Sequence, residues 1–420
     1  MWYKSIVNLK KSAQTADKKE NEMSKIKYKL AIGLAALLVI GGAMYIYFAH
    51  YAPYRPDAQQ EVSVWYVNDD AMWSGFEALC AEYNEGDGAE YGITVVPRGF
   101  ESSKELYDEV CAAAQNGSQL PDMLACDTDF AAYLDSESLL ADMDAYFGKW
   151  ETSDYDESML GAATGKNGLV AVPIAAETNV FILNTEMFSD AGAISSFEKL
   201  CSVAGEYYKR NTSSFFSISD YSMFFRSSVA QLGDEFDGVS PYDTDNENCK
   251  YVYKLLAETA YDRGVTSTNG KATQLLADGE IAAAIVSNAD IMQYAAKLDD
   301  DRFVFADFPY MKDGKPVYTE RVLGMTILAS DESRERSSQM FLRWFCSAKV
   351  NSRFVADSGY MAAIGTQSGT SEHPVYERLM EAIDKMQSDA RHEEYAANAE
   401  YSVNSRNFDN VLNTIMDSLN

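Results

Sequence analysis

Three short apolar runs in this chain end in acids or amides. VSVWYV (Val62–Val67) leads into Asn68, Asp69 and Asp70, the Asp122–Cys126 run into Asp127 and Asp129, and IAAAIV (Ile281–Val286) into Asn288 and Asp290. Side chains of these types accept hydrogen bonds from polar solutes, and the bonds are strong when the acceptor is charged. The competing duty of each is to cap the helix that follows, where Asp and Asn are favoured anyway. Arg321 stands just before a further apolar run, Val322–Leu328, placed to pair with an anionic ligand group or with a neighbouring carboxylate. Trp73, Tyr221, Phe224, Phe225 and Tyr360 supply rings that either stack on a ligand or fill a core.

Catalytic patterns are missing. The three histidines, His50, His373 and His392, are far apart, and no G-x-S-x-G elbow occurs. Gly264 to Lys271 has five residues between its glycines, where a phosphate loop has four, and Ala272 follows the lysine. Asp243–Asn248 resembles a calcium loop without its glycine, and Lys254 stands where the bidentate Glu belongs. The six cysteines form no C-x-x-C pair and have no histidine close by in sequence, which argues against zinc. They read as small buried hydrophobes, with disulfides open to them outside a cell. The 64 Asp and Glu residues offer many carboxylate pairs, so no single pair is marked out for glycoside hydrolysis. The missing motifs lead to the expectation of no enzymatic activity, no cofactor and no metal.

The elements that would position the polar ends alternate between strand and helix. Val62–Val67 is apolar almost throughout, as a strand covered on both faces must be. Met72, Phe76, Leu79 and Tyr83 follow at helical spacing, Ile93–Pro97 reads as the next strand, and Leu106, Val110 and Ala114 mark a helix before the Asp122–Cys126 strand. This β-α-β-α-β order predicts a parallel sheet with right-handed crossovers, and ligands of such sheets sit beyond the carboxyl ends of the strands. Leu169–Pro173, Val180–Leu183, Phe303–Phe308 and Val322–Leu328 read as further strands. Helices are expected around Phe341–Ala348, Tyr376–Met386 and Phe408–Leu419.

A chain of 420 residues has room for two lobes with separate cores. Its formal charge of −29 argues against nucleic acid as a partner, because phosphate binding needs a basic surface. The charge is uneven. Residues 1–29 are Lys-rich and read as a short cytoplasmic leader. Residues 30–49 carry no charge and are long enough for a transmembrane anchor, with a cleaved signal peptide as the competing reading. Lys on the near side puts the leader in the cytoplasm and the body outside. Residues 50–60 read as a stalk.

The order of segments resembles the family 1 extracellular solute-binding proteins of bacterial ABC importers, the group of maltodextrin-binding protein. The resemblance covers about residues 60–370. It is carried by VWYVNDD, by Leu120–Phe147 with its LPD and acidic turn, by Gly168–Gly192 with PIAAET and ILNTEMFSDAG, by Lys271–Ile291, and by Arg321–Ala363 with its GYMAA end. It implies an α/β, two-lobed periplasmic-binding-protein-like fold with a ligand cleft between the lobes. One lobe would hold residues 58–175 and 314–357, the other 178–310 and 358–420. Ala175–Glu177 and Pro309–Lys315 would cross between them.

The same resemblance places Asp69, Asp129 and Glu177 where sugar-binding members keep carboxylates for hydroxyl groups. Where many members carry a stacking Trp, this chain reads SNAD, Ser287–Asp290. The expected ligand contacts are therefore Asp69, Asp70, Asp127, Asp129, Glu177, Asn288, Asp290, Arg321 and Tyr360. The implied role is substrate-binding component of an ABC transporter, a monomer on the outer membrane face, working with ABC permease subunits on a small polar solute, foremost a carbohydrate. The alternative is a ligand-sensing ectodomain of the same fold with a signalling partner.

Overall fold

The computed structural model describes residues 29, 32–42, 44, 54–68, 72–148, 152–234, 240–243, 245–266, 271–356, 358–364 and 373–419. The chain divides into two units, Met1–Tyr54 and Arg55–Asn420. In the first, residues 32–42 are helical and their apolar side chains, among them Leu34, Leu37 and Leu38, are exposed. Among the described residues no helix is long and apolar enough to cross a membrane. Residues 1–28 of the expected 1–29 leader, residues 30, 31, 43 and 45–49 of the expected 30–49 anchor, and residues 50–53 of the expected stalk lie outside the described residues.

The second unit is built on two sheets. Its strands are β1 (Gln60–Val67), β2 (Ile93–Phe100), β3 (Met123–Asp127), β4 (Thr164–Gly165), β5 (Gly168–Leu169), β6 (Val172–Glu177), β7 (Asn179–Asn184), β8 (Phe216–Ile218), β9 (Ala283–Ser287), β10 (Phe303–Ala306), β11 (Val317–Tyr318), β12 (Arg321–Ile327), β13 (Met361–Ala362) and β14 (Arg391–His392). The six-stranded sheet has the order β13-β6-β12-β3-β1-β2, the four-stranded sheet β10-β7-β9-β8, and β4-β5 and β11-β14 are separate pairs. β1 runs parallel to β2 and β3, and β8 parallel to β9. β12 is antiparallel to both β3 and β6, with a register shift between Leu323 and Gly324.

Each sheet is covered on both faces, which explains why its strands read as apolar runs. Val62, Val64 and Tyr66 of β1 pack in one core cluster while Trp65 and Val67 pack in another. In the second sheet Phe181 and Leu183 of β7 face one cluster, and Val180 and Ile182 the opposite one. The period-two alternation thus serves two cores per sheet. The Glu332–Phe345 helix covers the first sheet from the same side as the Phe76–Glu85 helix, with Phe76 edge-on to Phe345 at 5.3 Å.

A half-buried ion pair fixes that helix. The Asp122 carboxylate accepts bonds from Arg334 Nε and Nη2, each at 2.6 Å, and from the Ser63 backbone N–H at 2.7 Å. The LPD segment therefore anchors the start of β3 to β1 and to a helix more than two hundred residues downstream.

The sheets are joined at Thr178, between β6 in one and β7 in the other. The chain returns between β10 and β12, through β11. The Ala399–Leu419 helix packs both on Thr128–Ser136, which follows β3 of the first sheet, and on Tyr221–Gln231, which follows β8 of the second.

Candidate functional site

The carboxyl ends of β3, β8 and β9 converge on one cavity of about 340 Å³. Asp127 comes from the first sheet's side, and Ser219, Asp220, Ser287 and Asp290 from the second sheet's side. Glu177 and Arg321 stand at the junction, at the last residue of β6 and the first of β12, directly opposite one another in register. Its volume is at the low end of the ~300–1,000 Å³ of small-molecule pockets.

Arg321 organises the junction. Its Nη1 donates to Glu177 Oε1 at 3.2 Å, and its Nη2 donates to Asp220 Oδ2. The Glu177 Oε2 accepts from the Ser287 hydroxyl. Asp220 also caps the Tyr221–Gln231 helix, its Oδ1 accepting from Met223 N and Ser222 Oγ at 2.8 Å each. Burial alone would raise the Asp220 pKa, but Arg321 and the cap bonds hold it below the usual carboxylate range. Burial likewise works against the Arg321 charge, but Asp220 and Glu177 overcome it and raise the pKa well above the ordinary value. Both groups are ionised at any ordinary pH.

On the other wall, the Tyr107 hydroxyl donates to Asp127 Oδ2 while Asp127 Oδ1 caps the next helix through Phe130 N at 2.8 Å. Tyr107 stacks on Phe130, centroids 3.8 Å apart. Burial, then the Asp127 charge, push the phenol well above its ordinary pKa, so it remains a donor. Trp73, Tyr107, Tyr294 and Tyr360 present rings to the cavity. The Thr273 hydroxyl, on a residue 1% exposed, has no hydrogen-bond partner among the described residues.

The expected contacts divide accordingly. Asp127, Glu177, Asp290, Arg321 and Tyr360 are brought together around the cavity. Asn288 is fully buried beside it and ties the Thr178 crossing to the segment before β13, accepting from Thr178 N at 2.6 Å and donating to Gly359 O at 2.7 Å. Asp129 is buried in the seam behind the cavity, 3.8 Å from Arg226, and accepts from Asn398 N at 2.9 Å. Burial raises its pKa to about 7, an effect that Arg226 only partly offsets. Asp69 and Asp70 lie outside the described residues. Of the other aromatics considered, Trp73 lines the cavity, and Tyr221, Phe224 and Phe225 fill the second sheet's core.

Sequence reasoning missed Asp220, Ser219, Thr273, Tyr107 and Tyr294. Asp220 carried a usable signal: FSISD is a three-residue strand followed by an Asp-capped helix, the same arrangement as at Asp127.

The cavity can accept and donate hydrogen bonds, but it holds no activated nucleophile among the described residues. Cys126 lines it, but burial and Asp127 push its thiol well above the ordinary pKa, away from the reactive thiolate. All six cysteines are free thiols. Among the described residues no group of three or more His, Cys, Asp or Glu could hold a metal ion.

Two sheets joined by crossings with a polar cavity between them is the plan of a solute-binding protein, and a family model decides the point. The model for bacterial extracellular solute-binding proteins matches residues 78–373. The chain belongs to that family. Its members bind solutes and are not enzymes, and the family's place is extracytoplasmic. No curated protein sequence matches this solute-binding protein significantly. Solved structures share its fold. The cyclic alpha-maltosyl-1,6-maltose binding protein of Arthrobacter globiformis has a TM-score of 0.61 at 16% identity, over 86% of this chain and 94% of that one. The GacH receptor of Streptomyces glaucescens, solved unliganded and with acarbose, has a TM-score of 0.67 at 16% identity, over 87% and 95%. The maltose-bound MalE3 of T. maritima has a TM-score of 0.67 at 14% identity, over 86% and 95%. The resemblance seen in the order of sequence segments is thereby borne out.

Proposed function

We propose that this protein is the substrate-binding component of an ABC importer and closes its two lobes on a small polar solute, a carbohydrate. The observation that carries the reading is the position of the cavity. Its polar groups come from both sheets, so a ligand touches all of them only when the lobes are together, and binding then favours the closed arrangement. Carboxylate acceptors beside aromatic rings suit the hydroxyls and the apolar face of a sugar. Ring surfaces at Trp73, Tyr107, Tyr294 and Tyr360 offer the stacking that SNAD lacks. The relatives described above bind maltose, a cyclic maltosyl-maltose and acarbose.

The uncharged 30–49 run, approached by lysines, supports a membrane anchor that holds a monomeric body on the outer face beside its permease. Alkaline extraction of membranes tests this part: the full chain should stay with the membrane, and a chain lacking residues 1–54 should not.

The binding claim is tested by thermal shift of the full chain in mild detergent against mono- and disaccharides, amino acids and inorganic ions. A sugar at one hundred times its dissociation constant should add ~2.7 kcal/mol of stability. A response to amino acids alone would overturn the carbohydrate assignment and leave solute capture standing.

A further inference from the structure

The polar groups around the cavity form a chain of bonds with a loose end. Arg321 donates to Asp220 and Glu177, and Glu177 Oε2 accepts from the Ser287 hydroxyl. The Ser287 oxygen in turn accepts from Ala289 N at 3.1 Å, and Ser287 N donates to Ser219 Oγ at 3.3 Å. The chain stops there. Ser219 Oγ is held in place as an acceptor, and its own O–H has no acceptor among the described residues. Ser219 is half-buried and lines the cavity. Thr273 is the second loose end. It lies in the Ala272–Ala277 helix, which packs on β8, the strand that ends just before Ser219. Its residue is 1% exposed and lines the same cavity, and its hydroxyl has no partner among the described residues. A buried hydroxyl left without a bond costs stability, so its place on a cavity wall points to a partner that arrives with the ligand.

The carboxylates of the cavity do a different job. Asp127, Glu177 and Asp220 each have a protein donor on both oxygens, which fixes them in place. A carboxylate only accepts, and it accepts alike from a hydroxyl, an amide or an amine. A hydroxyl both gives and takes a proton, as a sugar hydroxyl does. We propose that Ser219 and Thr273 together read one hydroxyl of the ligand and so set which sugar the cleft takes. This rests on the carbohydrate reading and deepens it. Ser219 gives its proton to the ligand oxygen, and Thr273 takes the proton of that hydroxyl. A sugar that lacks the hydroxyl, or carries it on the other ring face, leaves both groups unpaired when the lobes close. Unpaired buried polar groups are what make such sites selective.

Titration calorimetry on the full chain in mild detergent uses glucose, galactose, mannose, xylose and maltose. The tightest binder is then compared with its monodeoxy analogues. Loss of one particular hydroxyl should weaken binding to the unmutated protein about three- to tenfold, the scale of one neutral hydrogen bond. The same loss should cost much less in Ser219→Ala and in Thr273→Val, because the group that read the hydroxyl is gone. Thr273→Ser restores a hydroxyl and should recover most of the lost affinity. Thr273→Val should leave the thermal midpoint of the unliganded protein equal or higher, since it removes a hydroxyl that has no bond there. A clear fall in that midpoint would mean that the hydroxyl is already bonded inside the protein, and would overturn the proposal. Deoxy analogues that lose the same factor in the unmutated protein and in both variants would also overturn it and leave the carbohydrate reading intact. No binding of any of the five sugars would overturn the carbohydrate reading, and the proposal with it.

Discussion

Glu177 is where the candidate site and the fold meet, since one oxygen takes Arg321 and the other takes Ser287. Glu177→Gln keeps the shape but removes half of the negative charge that holds Arg321. We expect ligand binding to weaken about tenfold or more, read by calorimetry, with Arg321 then held by Asp220 alone. Asp122 makes a different prediction, because its partner Arg334 lies far from the cavity. Asp122→Asn removes the charge from a half-buried bidentate pair and should cost about 1.5–3 kcal/mol in denaturant unfolding. Ligand affinity, measured on the folded fraction, should not change. At this scale the sequence was partly legible. Asp127 and Asp290 follow recognisable strands, and Arg321 precedes one. Asp129 and Asn288 carry the same residue types at the same kind of position, but they are turned into the seams. A sequence pattern gives the strand end, and it does not give which side of the following turn faces the space between lobes.

At the scale of elements, the segments next to the cavity carry the strain and the titratable groups. Gly359 has φ +84°, and a Cβ there would come within 2.6 Å of the Asn288 carbonyl oxygen. Gly359→Ala should therefore destabilise the protein by about 1–3 kcal/mol, seen as a lower midpoint in chemical denaturation, and displace Tyr360 from the cavity. The other junction holds Glu320, buried between β11 and β12, 3.6 Å from His392 Nε2. Burial, then Asp156, raise its pKa to about 7, while burial lowers that of His392. The folded protein thus binds a proton at Glu320 that the unfolded chain releases near pH 4.5. Stability from this group is present below about pH 4.5 and is lost as pH rises to about 7. Asp129, also raised to about 7, acts in the same direction. Glu320→Gln should flatten the decline, gaining on the order of 2 kcal/mol at pH 8 and little at pH 4.5. A decline of unchanged slope in the variant would remove Glu320 as its cause.

The strands were legible because both sheets are covered on both faces, which turns them into near-continuous apolar runs. β8 escaped notice because it is three residues long, and its register with β9 is set by tertiary packing.

For the whole molecule, the central relation is between two sheets and the segments that join them. The order of landmarks along the chain made that architecture readable, because each landmark is a strand end or a crossing whose residue types are fixed by burial. The C-terminal helix was predicted as a helix, yet its packing across both Thr128–Ser136 and Tyr221–Gln231 was not readable, since an amphipathic stripe does not name its partners. With Arg226 set 3.4 Å from the Tyr395 ring centroid and 3.8 Å from Asp129, this region ties the lobes together behind the cavity. On the proposed function, closure on a ligand would have to pivot about it.

Hydrogen exchange on the full chain, with and without a saturating solute from the binding screen, tests this most directly. Protection should appear at the ends of β3, β8 and β9 together, covering Asp127–Phe130, Ser219–Met223 and Ser287–Tyr294. Protection confined to one sheet's strand ends, or found only at a site away from these segments, would contradict binding between the lobes.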